Sequence, residues 1–168
     1  MKCLGILWNG MNEFKEEALI DIKSYAKINN IIDIDLDSRY ECFVRDIYSM
    51  DDIATWKVDK KIETMFQCSD NRQITVVDME IDVSEQYFHP LKKRLVFTNL
   101  ENMKVEIRKK YETKVSCYFF DNVFHVTDNE KEYIDDFGVV NHYIQEIQNS
   151  ESVSKGKTLK KVLKNGNK

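Results

Sequence analysis

The stretch Ile32-Asp33-Ile34-Asp35-Leu36-Asp37 decides the class of fold. Its alternation of apolar and acidic residues has the period of a β-strand with one face buried and the other in water. Strands of an all-parallel sheet are covered on both faces and read as continuous apolar runs, so an acidic face points to an edge or half-exposed antiparallel strand. Helices and strands alternate through the rest of the chain with short connections. Together these features predict an α+β fold, a sheet covered by helices.

Upstream, residues 2–8 form a short apolar run closed by Asn9-Gly10, the pattern of a buried central strand and a turn. Asn12 is placed to cap a helix whose first turn carries Glu13, Glu16 and Glu17, with Phe14, Ala18, Ile22, Tyr25 and Ala26 at helical spacing. Downstream, Tyr40, Phe43, Val44, Ile47 and Tyr48 share one helical face, and Ile53, Trp56, Ile62, Met65 and Phe66 follow after the Ser49-Met50-Asp51 break, predicting a helical hairpin. Residues 73–82 read as a strand with a bulge at Val76-Val77, where the alternation slips. A polar loop through His89-Pro90 leads to a helix over 98–110, a strand within 115–125 and a last helix over 128–147.

The 168 residues are 42% apolar and 32% charged, and no apolar run approaches the roughly 18–20 residues of a membrane span. The apolar stretch before Asn9 is too short for a signal peptide, so the chain is expected in the cytoplasm. Cys3, Cys42, Cys68 and Cys117 have neither zinc-ligand spacing nor the density of a disulfide framework and are expected to be buried or incidental thiols. Charge divides the chain. Residues 151–168 hold six lysines and one acid, which leaves +5 there and -9 on residues 1–150. We therefore expect one α+β domain over 1–149 and a basic, flexible tail over 150–168, which offers an anionic partner a weak electrostatic attraction.

The densest polar cluster is Asp121-Asn122-Val123-Phe124-His125-Val126-Thr127-Asp128-Asn129-Glu130. Here a strand ends and Thr127 or Asp128 can cap a helix, so His125 stands beside backbone N–H groups suited to an anion such as phosphate. An imidazole in that position can act as nucleophile or proton carrier. Lys92, Lys93, Arg94, Lys104, Arg108, Lys109 and Lys110 form a basic stretch in an otherwise acidic body, with Lys104 and Arg108 one helical turn apart. Cations so placed can hold phosphate oxygens and stabilise a transferring phosphoryl group. No GxxxxGK[ST], GxGxxG or GxSxG occurs, which removes the common P-loop, dinucleotide and α/β-hydrolase readings.

Ile107-Arg108 followed by Asn122-Val123-Phe124-His125-Val126-Thr127-Asp128 resembles the nucleoside diphosphate kinases, whose active-site stretch reads Asn, two apolar residues, His, Gly, Ser, Asp. The resemblance implies a ferredoxin-like antiparallel sheet with a helical hairpin inserted after the second strand. It implies that His125 is phosphorylated by a nucleoside triphosphate carrying Mg²⁺ and passes the phosphate to a nucleotide or other small phosphorylated acceptor. By position Asn122, Thr127 and Asp128 would position the nucleotide. Arg108, Arg94 and Thr98, with Lys93 and Lys104 nearby, would bind phosphate. No protein metal site is implied, and the family's symmetric multimers imply a homo-oligomer. Two departures stand out: the family's first strand ends in Lys-Pro-Asp where this chain has Trp8-Asn9-Gly10, and Val126 replaces the glycine after the histidine. They support an alternative, a non-catalytic nucleotide-binding or interaction module using the same basic pocket.

Overall fold

A computed structural model describes residues 1–49, 51, 53–90 and 93–165, with the backbone alone from 151 onward. Its elements run β1 (Lys2–Leu7), a 3-10 turn (Asn9–Phe14), α1 (Lys15–Lys23), β2 (Ala26–Asp35), a second 3-10 turn (Asp37–Arg39), α2 (Tyr40–Ile47), α3 (Thr55–Cys68), β3 (Gln73–Ile81), β4 (Gln86–His89), β5 (Arg94–Phe97), α4 (Thr98–Tyr111), β6 (Phe124–Val126) and α5 (Glu130–Asn165). Four strands form an antiparallel sheet in the order β2-β3-β1-β6, and β4-β5 is a separate hairpin. This is the α+β class that the 32–37 alternation predicts, with β2 at the sheet edge.

Both faces of the sheet are covered. Cys3, Leu7, Val77 and Met79 pack against Ala18 and Ile22 of α1 and Leu100, Met103 and Ile107 of α4. Leu4, Ile6, Trp8, Ile74 and Val76 pack against Phe43 and Val44 of α2, Ile62 and Met65 of α3, and Val140 and Tyr143 of α5. The central position of β1 explains its continuous apolar run. At Gly5 the sheet leaves no room for a side chain, because a Cβ there would come within 2.9 Å of Phe124 Cε2.

Several local expectations are corrected. Asn12 does not cap a helix: its Nδ2 donates to the Gln73 carbonyl at 3.2 Å, and α1 begins three residues later after Phe14. Ser24 and Tyr25 N–H groups close on Asp21 and Ile22 carbonyls, ending α1 so that Ala26 opens β2. No bulge interrupts β3 at Val76-Val77, which pair in sequence with Ile6 and Gly5; both are buried because β3 is covered on its two faces. The register shift lies instead in β2, between Ile28 and Asn30. The expected loop through His89-Pro90 is the connection of the β4-β5 hairpin. Of the expected strand within 115–125 only its end is strand, as β6. α5 continues as helix past Ser150 to Asn165, while the apolar spacing of Leu159, Val162 and Leu163 and the charge of the tail lysines lie outside the described side chains, as does Lys92. Among the described residues no helix is long and apolar enough to cross a membrane.

Candidate functional site

β6 sets the site by its alternation. Phe124 and Val126 turn into the α1–α4 layer, which leaves His125 on the opposite face, beside Trp8 and Tyr48. Its ring meets the Tyr48 ring edge to face, with centroids 5.3 Å apart, and Tyr48 in turn stacks on Trp8. His125 Nε2 and Asp136 Oδ2 of α5 are 2.8 Å apart and share a hydrogen bond. Burial, reinforced by the charge of Lys61, pulls His125 down to about 3, and burial with the neighbouring Glu132 and Asp135 pushes Asp136 up to about 7. The imidazole is therefore neutral at neutral pH, and the pair holds one proton between its two atoms.

His125 lines a pocket of about 580 Å³, bounded also by Tyr48, Asp51 and Lys61 from the helical hairpin, Arg94 of β5, Lys104 and Arg108 of α4, Phe120 and Asp121, and Asp128 and Glu132 at the start of α5. The basic residues converge because α4 buries Leu100, Met103 and Ile107 on one face and turns Lys104 and Arg108 toward β6 on the adjoining one. Arg108 Nε donates to the Phe124 carbonyl at 3.0 Å, and its Nη1 pairs with Asp121 at 2.9 Å. Lys104 and Arg94 both contact the Asp128 carboxylate. The pocket is thus cationic side chains held in place by acids of the same chain, a set that an incoming polyanion could engage by exchange with those carboxylates.

The start of α5 is fixed by Asn129, not by Thr127 or Asp128 as expected. Asn129 Oδ1 accepts the Glu132 N–H at 3.0 Å, and Glu132 Oε2 accepts the Asp128 N–H at 2.6 Å, a reciprocal cap that orients Asp128. Thr127 faces the sheet instead: its Oγ1 accepts the Leu4 N–H at 3.0 Å and its own N–H donates to the Leu4 carbonyl, so it extends the β6–β1 pairing. Asn122 is also set apart, because its amide holds Cys117 O at 2.9 Å and its Oδ1 accepts the Phe119 N–H, locking the turn in which Phe120 and Asp121 have positive φ. Thr98 opens α4 with its N–H on the Glu85 carbonyl, and Lys93 sits exposed in the hairpin turn with φ 51°. Of the sequence candidates, then, His125, Arg94, Lys104, Arg108 and Asp128 share the pocket, and Lys93, Thr98, Asn122 and Thr127 do not line it.

Sequence reasoning passed over Lys61 and Asp136. Lys61 Nζ is buried and donates to Tyr48 Oη at 2.5 Å and to the Phe120 and Asp121 carbonyls at 2.9 and 3.2 Å; burial brings it down to about 7. The signal was its place in α3, three residues after Val58 and four before Met65, among the inward positions. Asp136 carries the same signal between Tyr133 and Val140 of α5. A charge on an apolar face is buried and must find a partner. Among the described residues no group of three or more His, Cys, Asp or Glu is arranged to hold a metal ion by itself.

No family model matches the chain, and no curated protein matches it. Solved structures do. A nucleoside-diphosphate kinase from Borrelia burgdorferi, a transition-state mimic with bound vanadate and ADP, superposes with a TM-score of 0.50 at 14% identity, covering 83% of this chain and 85% of that one. The nucleoside diphosphate kinase of Aquifex aeolicus gives a TM-score of 0.49 at 12% identity over 83% of this chain and 93% of that one. The chain thus has a fold related to that of the nucleoside diphosphate kinases, with its four-stranded sheet in ferredoxin-like order.

Proposed function

We propose that the chain is a phosphotransferase that carries a nucleotide's terminal phosphate through a phosphohistidine to a nucleoside diphosphate or another small phosphorylated acceptor. The observation that carries this reading is the buried His125, with Nε2 on Asp136, in a pocket lined by Lys61, Arg94, Lys104 and Arg108. With Asp136 ionised and the proton on Nε2, the lone pair lies on Nδ1. That nitrogen attacks the terminal phosphorus, the bond to the bridging oxygen breaks, and the diphosphate leaves. In the second half a terminal oxygen of the acceptor attacks the same phosphorus and the P–N bond breaks, which restores neutral His125. Arg94, Lys104 and Arg108 neutralise charge on the transferring group, and a Mg²⁺ carried by the nucleotide would screen its phosphates. Lys61 Nζ lies 5.6 Å from the Trp8 ring, so α3 supplies a lysine amine beside the end of β1, where the resemblance implies a lysine. The domain that does this work is 1–149.

The pairing of Arg94 and Lys104 with Asp128, and of Arg108 with Asp121, favours a second reading, a module that binds nucleotide weakly and transfers nothing. Turnover separates the two. Given γ-labelled ATP, Mg²⁺ and a nucleoside diphosphate, the phosphotransferase produces labelled triphosphate, and His125→Ala reduces this to background. Calorimetric binding of ATP, CTP or GTP without transfer supports the module, and no binding of any of them removes both readings.

A further inference from the structure

Cys68 and Cys117 meet beside the segment that carries Phe120 and Asp121 to the pocket wall. Cys68 is the last residue of α3, and its Sγ donates to the Cys117 carbonyl at 2.8 Å. Burial raises the pKa of the Cys68 thiol, and the Cys117 side chain also bears on that thiol and raises it. Around them Asn122 Nδ2 contacts both Cys117 O, at 2.9 Å, and Cys68 Sγ, at 3.8 Å, while Ser116 Oγ donates to the Cys68 carbonyl at 3.2 Å. Both cysteines are partly exposed, whereas Cys3 is buried in the core and Cys42 is exposed on α2. Two segments remote in sequence thus meet at the Cys68 sulfur, where both cysteines are partly open to solvent.

We propose that Cys68 and Cys117 are a thiol-oxidation site that closes reversibly to a disulfide, and that this bond fixes the pocket-wall segment 117–122 to α3. A hydroperoxide supplies the oxidising equivalents. One thiolate attacks the peroxide oxygen, the O–O bond breaks, and a sulfenic acid forms with release of hydroxide, which is protonated to water. The second thiolate then attacks that sulfur, the S–O bond breaks, and a second water leaves with the proton supplied by solvent. Two thiols and one hydrogen peroxide thus give one disulfide and two waters, and a dithiol reductant reverses the bond. Burial and the hydrogen bond to Cys117 hold the Cys68 thiol above the ordinary cysteine range, so the reaction quickens as pH rises above neutrality.

The bond has a reason to matter at the site. α3 already holds this segment through Lys61, two helical turns before Cys68, whose ammonium binds the Phe120 and Asp121 carbonyls. A covalent tie at the end of the same helix doubles that attachment around Asn122. The disulfide therefore stiffens the turn that presents Asp121 to Arg108.

The test uses the full chain treated with hydrogen peroxide and mapped by mass spectrometry without reduction. The expected result is a single Cys68–Cys117 cross-linked peptide that dithiothreitol removes, absent from Cys68→Ser and Cys117→Ser and retained in Cys42→Ser. Amide exchange across 117–122 should slow in the oxidised protein. Failure of the cross-link to form in a chain that keeps its native circular dichroism, or sulfinic acid on separate cysteines in its place, overturns the site. A cross-link that leaves exchange across 117–122 unchanged overturns its coupling to the pocket wall.

Discussion

His125 and Asp136 face each other across 2.8 Å in a buried environment that disfavours charge on both. Their titrations run in opposite senses. His125 lies at about 3 in the folded chain, below its ordinary value of 6.5, so alone it would remove stability as pH falls below 6.5 and the unfolded chain takes up the proton. Asp136 lies at about 7, above its ordinary 3.8, so alone it would add stability as pH falls from 7 toward 4, because the folded chain binds the proton first. In the native pair one proton is taken up near neutrality in either state, and the two slopes offset each other between about pH 7 and 4. Single variants unmask them. We expect Asp136→Asn to lose about 1–3 kcal/mol between pH 6.5 and 4 relative to wild type, and His125→Gln to gain stability over the same interval. Urea melts at stepped pH measure both, and parallel profiles for the two variants would refute the shared proton.

At the scale of elements, what was legible depended on how many faces of an element are covered. The acidic alternation of 32–37 placed β2 at an edge because one face there keeps its charge; even so Asp33 is partly covered, by Lys15 and by Thr75 Oγ1 at 2.6 and 2.7 Å. The central β3 shows no clean alternation, since Ile74, Val76 and Val77 are all buried, and the sequence pattern there suggests a bulge that is absent. The β4-β5 hairpin went unread although Tyr87-Phe88 and Leu95-Val96-Phe97 are strand-forming, because its turn holds Pro90 and the short runs fall below the length at which period two is persuasive. His125 and the cations of α4 were legible as chemistry on a strand end and a helix face. The Asp136 and Lys61 partners were not, because each sits on the apolar face of a different helix and meets the site only through tertiary packing. The cap of α5 belongs to this scale as well. Removing it with Asn129→Ala should destabilise the protein by about 1 kcal/mol, read as a lower denaturation midpoint with unchanged slope. A loss near zero would mean that Glu132 alone holds the helix start.

Across the whole molecule the sheet separates two apolar layers, and the pocket opens where the α2–α3 hairpin, the β4–β5 hairpin and the ends of α4 and α5 meet at β6. The described residues that line the pocket all lie between Tyr48 and Glu132. The last described side-chain anchor is Ser150, whose Oγ accepts from Arg39 Nη2 and donates to the Glu146 carbonyl, both at 2.8 Å. We therefore expect a chain ending at Ser150 to fold with a melting temperature within a few degrees of the full chain, where about 1 kcal/mol corresponds to about 2–4 °C. A larger fall would show that the segment after Ser150 packs on the domain, and would move the boundary we propose at 149–150.

The central claim, that His125 is a phosphate carrier, is tested most directly by exposing the protein to γ-labelled ATP and Mg²⁺ without an acceptor and asking what remains covalently bound. The label should survive alkali and be lost in acid. It should be absent from a His125→Ala variant that keeps its native circular dichroism, and should accumulate faster as pH rises through about 7, where Asp136 ionises and leaves the imidazole proton on Nε2. A wild-type protein that binds nucleotide but takes up no label, or a His125→Ala variant labelled as fully as the wild type, would contradict it.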